Sequence, residues 1–514
     1  MLGDCHVASD KVLSGRGRKE CRLRRFAANW ASIAIFAICG ECSQAAEEVP
    51  NLPQAGVDLP SDRCVDRLAT AQPPPIALRV SSLSYRCLKL PSGRALWLGE
   101  AGSARAPTVL LVHGLGNYAH RDWRQILPVL ADRYHVVAVD LPGFGASQSL
   151  PGGYSFAALS DTLAQVLDQL QIRQAHVVGH SLGGAVSLYF AHTHANRVEQ
   201  LILVDASGIL QKAVYVRHMA QTQLPQSGFE PLDWLLGGID RRVNGLGGIV
   251  LTRMEERADL AAWLVENPPV RNALLGRYTQ IDAALGLVEH DFTQAIREVT
   301  APTTLIWGRN DPIAPLRTGT LLVSRLRNAR LHVIDGVEHV PMVQAPEKFL
   351  SLLLPALSGV SAPTFARSIP NRRHGQIICR NQSNVIYSGY FESLTLQGCK
   401  NVRIERASLR QLTLVASTAS LTFVQIDSSG VALSAKQSQV VATGVDIRSR
   451  VGVRAEDSRL DLAGVSLWAT QAGVVSLTGS RVYFSVSDLV TPEFSGDAHR
   501  IWPDAASAPP RAVR

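Results

Sequence analysis

The chain has 514 residues, enough for more than one domain with ample core, and 46% of them are hydrophobic. Its formal net charge of +8 is spread along the sequence and is not joined by a basic and aromatic cluster, so a nucleic-acid partner is not expected. A weak attraction to anionic envelope glycans is the most the charge implies. Residues 1–45 differ from the rest. Lys11, Arg16, Arg18, Lys19, Arg22, Arg24 and Arg25 precede an apolar stretch from Phe26 to Gly40, and Ser43-Gln44-Ala45 offers a small-x-small cleavage site. This is the layout of a secretory signal. An uncleaved N-terminal segment tethered to a membrane stays open, although the apolar stretch is short of the roughly 20 residues that a span requires.

Residues 46–75 are Pro-rich, end in Pro73-Pro74-Pro75 and read as an extended linker. Once the first 45 residues are set aside, four cysteines remain: Cys64, Cys87, Cys379 and Cys399. Four cysteines allow three connectivities, and local pairing (Cys64 with Cys87, Cys379 with Cys399) is the simplest in an oxidising compartment. Four buried thiols are the alternative. No zinc-ligand spacing occurs, and neither a metal nor a cofactor is expected.

From residue 76 apolar strands alternate with amphipathic stretches, such as Ala157 to Leu170 with Leu159, Leu163, Val166 and Leu167 at helical spacing. The pattern predicts a mainly parallel sheet covered by helices. Val109-Leu110-Leu111-Val112 runs into His113-Gly114-Leu115-Gly116, and Val136-Val137-Ala138-Val139 into Asp140-Leu141-Pro142-Gly143-Phe144-Gly145. Ala175-His176-Val177-Val178 precedes Gly179-His180-Ser181-Leu182-Gly183, and Leu201-Ile202-Leu203-Val204 precedes Asp205. Thr304-Leu305-Ile306-Trp307 leads to Gly308-Arg309-Asn310-Asp311-Pro312, and His339 follows in Gly336-Val337-Glu338-His339. The two glycines around Ser181 free a strained strand-to-helix turn of side chains that would collide there.

These motifs, in the order Ser, Asp, His, resemble the α/β-hydrolase superfamily over residues 76–356. The resemblance implies a nucleophile Ser181, a general base His339 and an orienting acid Asp311, with an oxyanion hole made by the backbone N–H groups of Leu115 and Leu182. Asp205 is the rival acid, while Asp140 reads as a turn-stabilising carboxylate. His332, inside a strand, and His290 are the rival histidines, and His113 and His180 occupy supporting positions. The segment 206–300 breaks the strand pattern and matches the family's helical cap, where Trp234, Leu235, Leu236, Ile249 and Trp263 line an acyl pocket or pack the cap itself.

From about residue 375 helical periodicity stops. Val402, Leu421, Val440, Leu460 and Val482 take equivalent places in short β-rich runs, and a second apolar pair follows each: Leu412 and Leu414, Val431 and Leu433, Val451 and Val453. A repeat near 20 residues resembles a coil of a right-handed parallel β-helix over residues 375–495, with a β-sandwich as the rival. Residues 496–514 read as a disordered tail. The chain is thus expected to be an exported serine hydrolase, periplasmic or secreted, acting on a small-molecule or acylated-polymer ester. An acyltransferase, a carbon–carbon bond hydrolase or a non-catalytic envelope-binding protein are the alternatives.

Overall fold

The computed structural model describes residues 84–502, except 116–118, 151–153, 212, 213, 215–282, 284, 285, 288, 289, 361–367 and 478. The leader, the Pro-rich linker, most of the cap and Cys64 lie outside the described residues. Among the described residues no helix is long and apolar enough to cross a membrane.

The first sheet has eight strands: β1 (Ser84–Lys89), β2 (Ala95–Ala101), β3 (Thr108–Val112), β4 (His135–Val139), β5 (Ala175–His180), β6 (Val198–Val204), β7 (Thr303–Gly308) and β8 (Ala329–Ile334). They lie in the order β1-β2-β4-β3-β5-β6-β7-β8, antiparallel at β1–β2 and β2–β4 and parallel from β4 to β8. Every residue of β3, β4 and β5 is buried, as strands covered on both faces require. The predicted amphipathic helix forms at Phe156–Gln169, capped by Ser155, whose side chain accepts from the Ala158 N–H at 3.2 Å. Its buried face includes Leu159, Leu163, Val166 and Leu167. The order of strands reverses at β3, so the carboxyl ends of β3, β5, β6, β7 and β8 open on one edge, where ligand crevices of such sheets lie.

The C-terminal region is all-β. It comprises β9 (Arg373–Arg380), β10 (Ile386–Gln397), β11 (Val402–Leu409), β12 (Leu412–Val415), β13 (Thr418–Asp427), β14 (Val431–Lys436), β15 (Gln439–Glu456), β16 (Arg459–Ser476), β17 (Arg481–Ser485) and β18 (Ser487–Val490). The pairings among these strands are parallel, and β13-β11-β10-β12-β14-β15 closes into a ring through β13–β15. Inward residues stack from strand to strand, as in Leu394–Leu412–Leu433–Val453–Val474 and Val402–Ala419–Val440–Leu460–Val482.

That register corrects two of the expected alignments. Leu421 pairs with Ile404 and not with Val402, and Leu412 pairs with Leu433 and not with Val431. Both differences are two residues, because a shift of two keeps the same side chains inward. The expected tail is also shorter at its start: Ser495–Ala498 and Ile501–Trp502 form short antiparallel strands against β18 and β17.

At one corner of this region serines stack. The Cys399 N–H donates to Ser417 Oγ at 3.0 Å, Ser417 N–H to Ser438 Oγ at 3.0 Å, Ser438 N–H to Ser458 Oγ at 3.0 Å and Ser458 N–H to Ser480 Oγ at 3.2 Å. The residue before each of the first three serines, Ala416, Gln437 and Asp457, has positive φ, which turns the chain there. Cys379 and Cys399 are joined by a disulfide on adjacent strands' ends, and Cys87 is also disulfide-bonded.

The two regions share a core. Phe423, Ala463, Tyr483 and Val486 belong to the same apolar cluster as the helices beside the first sheet. The helix Leu316–Arg325 lies on β15 and β16, where Gly444 and Gly464 leave room: a Cβ on either would come within 2.9 Å of Ser324. Arg317 grips Asp461 with both amino groups, at 2.5 and 2.9 Å, and also donates to Thr443 Oγ1 and the Ala442 carbonyl.

Candidate active site

Ser181 follows β5 and precedes the helix Leu182–Thr193, with φ 52° and ψ −116°. A non-glycine residue there is strained and persists only where its surroundings hold it. They do: a Cβ on Gly183 would meet the carbonyl oxygens of Val112 and His113 at 2.3 Å, and one on Gly179 would meet the Gly183 carbonyl at 2.3 Å. Glycine at both positions lets the helix sit against β3 and β5, and Ser181 is left at the turn.

His339 comes from the loop after β8. Its Nε2 is 2.9 Å from Ser181 Oγ, and its Nδ1 is 2.7 Å from Asp311 Oδ2. Asp311, in the loop after β7, accepts from the N–H groups of Ile313 and Ala314 at 2.8 and 2.9 Å through its other oxygen. The three residues singled out in the sequence therefore form one line of hydrogen bonds, although 158 positions separate Ser181 from His339. A serine hydroxyl on an imidazole whose far nitrogen meets a carboxylate is a set that can pass the serine proton to the imidazole as the oxygen attacks. Leu182 opens its helix, so its N–H has no intrahelical acceptor. Leu115 follows Gly114, whose Cβ would lie 2.9 Å from Ser181 Cβ, so this loop sits directly against the serine.

Two further histidines brace these loops. His113 Nδ1 donates to the Gly114 carbonyl at 2.7 Å, while its Nε2 accepts the Leu141 N–H at 2.9 Å. Only the neutral ring can do both, and complete burial holds His113 below the usual imidazole range. His180 Nε2 donates to the His339 carbonyl at 2.7 Å, and burial, with the neighbouring His339, holds this imidazole well below its usual range. Asp140 follows β4 in a turn: His120 donates to it from both its backbone and its ring, and Ala146 N–H at 3.0 Å. Burial raises the Asp140 carboxyl, but the His120 contacts outweigh it and leave it below the usual carboxylate range. His332 sits in β8, and His290 packs among Phe156, Tyr189 and Phe292.

Three residues at the site were not assigned to it from the sequence. Ser207 Oγ is 3.2 Å from Ser181 Oγ. Asp122, in the turn after the Leu115 loop, feels the charge of His339, and burial pushes its carboxyl up to about 7. Asp205, weighed only as a rival acid, is completely buried at the end of β6 and contributes to a cluster with His180 and His339 in which one ligand-type atom of each lies within 4.8 Å of the others. A metal ion there would compete with the hydrogen bonds that His180 and His339 already make. Position after a strand was the sole signal for Asp205 and Ser207; nothing local distinguishes Asp122 from a surface acid.

Residues 107–235 match the family profile described as the alpha/beta hydrolase fold. A pimeloyl-[acyl-carrier protein] methyl ester esterase of Aeromonas hydrophila is 31% identical over 256 residues, covering 48% of this chain and 94% of that protein. A 2-hydroxy-6-oxononadienedioate/2-hydroxy-6-oxononatrienedioate hydrolase of Cupriavidus pinatubonensis is 30% identical over 243 residues, covering 46% of this chain and 81% of that protein. Among solved structures, a hydrolase from Pseudomonas aeruginosa is 25% identical, with a TM-score of 0.40, over 53% of this chain and 98% of that one.

Proposed function

The chain belongs to the α/β-hydrolase family, and on that premise we propose that it is a serine hydrolase cleaving carboxylic esters through an acyl-enzyme. The observation that carries this reading is the Ser181–His339–Asp311 hydrogen-bond line at 2.9 and 2.7 Å. In the proposed reaction Ser181 Oγ attacks the ester carbonyl while His339 takes its proton. The N–H groups of Leu115 and Leu182 stabilise the oxyanion, and the alcohol leaves with the proton from His339. Water, deprotonated by the same imidazole, then releases the acid. Asp311 keeps His339 in the tautomer that presents Nε2 to the serine.

Because a methyl ester esterase is among the relatives, ester cleavage is placed first. A dienedioate hydrolase is also among them, which keeps carbon–carbon bond hydrolysis as the second reading. The leader composition and cysteine pairing support an exported protein in an oxidising compartment. The parallel stacking of inward residues supports reading the C-terminal region as a right-handed β-helix, with an envelope glycan as the partner to try.

The test is hydrolysis of a graded ester series, acetyl to palmitoyl, beside labelling of the active serine with a fluorophosphonate. Ser181→Ala should abolish both, a loss of at least about 1,000-fold in turnover, with the fold intact by circular dichroism. Retained ester turnover in that variant would remove the assignment. Labelling of Ser181 without turnover on any ester would move the reaction to the carbon–carbon reading or to acyl transfer.

A further inference from the structure

Asp205 is held in an unfavourable place. It is completely buried, and its φ of 44° lies in the left-handed region that non-glycine residues avoid. Its Oδ1 accepts the Gly308 N–H at 2.9 Å, but Oδ2 is buried and finds no donor. The reason is its neighbour. The Asp205 carboxyl meets that of Asp311 within hydrogen-bonding range, so an acceptor faces an acceptor.

One proton resolves both groups, and the donor count decides which keeps it. Asp311 already receives the Ile313 and Ala314 N–H groups and the His339 ring. Asp205 receives one N–H. Burial first, and then the Asp311 charge, push the Asp205 carboxyl well above the usual range. Asp205 is the group that stays neutral.

We propose that Asp205 is a positioning acid, a second carboxyl that donates its hydrogen bond to Asp311 in the intact site and replaces it as the charged partner of His339 when Asp311 is removed. This rests on the hydrolase reading above. One oxygen of Asp205 and one ring nitrogen of His339 lie within 4.8 Å, so the replacement requires a side-chain shift that closes this gap to hydrogen-bond length once Asp311 is gone. The ionisable groups facing Asp205 come from three strand ends: Asp311 after β7, His339 after β8 and His180 after β5. His180 is held neutral by burial, so Asp311 is the neighbour that opposes ionisation of Asp205. Substituting Asp311 with asparagine removes that opposition, and Asp205 then ionises at lower pH.

The experiment is a double-mutant cycle of Asp205→Asn and Asp311→Asn, read as the rate of fluorophosphonate labelling at Ser181 from pH 5 to 9. The probe reports serine activation without the natural substrate. In the wild-type background Asp205→Asn should cost about threefold, whereas in the Asp311→Asn background it should cost about thirtyfold or more. Asp311→Asn alone should show a labelling rate that climbs with pH as Asp205 ionises, and the double variant should lack that limb. Equal penalties for Asp205→Asn in both backgrounds, or a limb retained in the double variant, would overturn the proposal. No labelling of wild-type Ser181 would instead overturn the hydrolase reading. Should Asp205→Asn fail to fold, Asp205→Glu in the Asp311→Asn background serves: the charge should be kept and the pH limb retained, and its loss would count against the role.

Discussion

The two regions of this chain bury polar groups in opposite ways. In the all-β region the stacked serines Ser417, Ser438, Ser458 and Ser480 each accept a backbone N–H from the preceding repeat, and the first three also donate to the carbonyl two residues before them, so one local solution recurs. Within this stack each serine is met by a neighbour of the same kind in the next repeat. At the open edge of the first sheet, His113, His180, Ser181, Asp205, Ser207 and Asp311 are all buried, and they come from four separate strand ends. There the bonds cross between loops, one carboxylate oxygen and one ring nitrogen lack donors or acceptors, and two residues carry positive φ. Repetition spreads polar burial into a stable framework, whereas convergence concentrates it where chemistry is possible.

Substitutions can test that contrast. The largest effect is expected at the serine turn: Gly183→Ala drives a Cβ into two backbone carbonyls at 2.3 Å. Displacing the turn by a fraction of an ångström should cost about 100-fold or more in Ser181 labelling. Gly430→Ala in the all-β region meets no atom within 4 Å and should leave both labelling and melting temperature as they were. If both substitutions proved equally harmless, the turn would be less constrained than the geometry says.

The junction between the regions should respond next. Arg317→Met leaves Asp461, only 15% exposed, without its partner, and should destabilise the chain by about 3–5 kcal/mol in denaturant unfolding. A separate early transition would show the two regions coming apart, while a single cooperative shift would show that they unfold together. The smallest effect belongs to one rung of the serine stack. Ser438→Ala removes one acceptor and one donor from a repeating row and should cost about 1–2 kcal/mol, with serine labelling unaffected.

Much of the first sheet was legible because its signals are local. A buried strand is an apolar run, the serine turn announces itself by its glycines, and Asp311 and His339 each follow a strand at the same edge. The meaning of Asp205 was not legible. It depends on two strand ends lying side by side so that two carboxyls meet, and nothing within the segment Leu201 to Asp205 encodes that. In the all-β region the repeat was legible but its register was not, since alternation of period two buries the same face whether Leu421 lies beside Val402 or Ile404. The strands at Ser495–Ala498 and Ile501–Trp502 are too short to stand out, and they exist because β17 and β18 offer free edges.

The sequence alone therefore determined most elements of the first sheet, the covalent order of Ser181, Asp311 and His339, and the period of the C-terminal repeat, because each follows from side-chain size and polarity over a few neighbouring residues. Tertiary structure decided how Arg317 finds Asp461 across 144 positions, which of two equivalent registers the C-terminal repeats adopt, and that the Asp205 carboxyl faces that of Asp311. Those outcomes are set by the distance and dielectric between groups remote in the chain, quantities that come into being only when the strands are packed side by side.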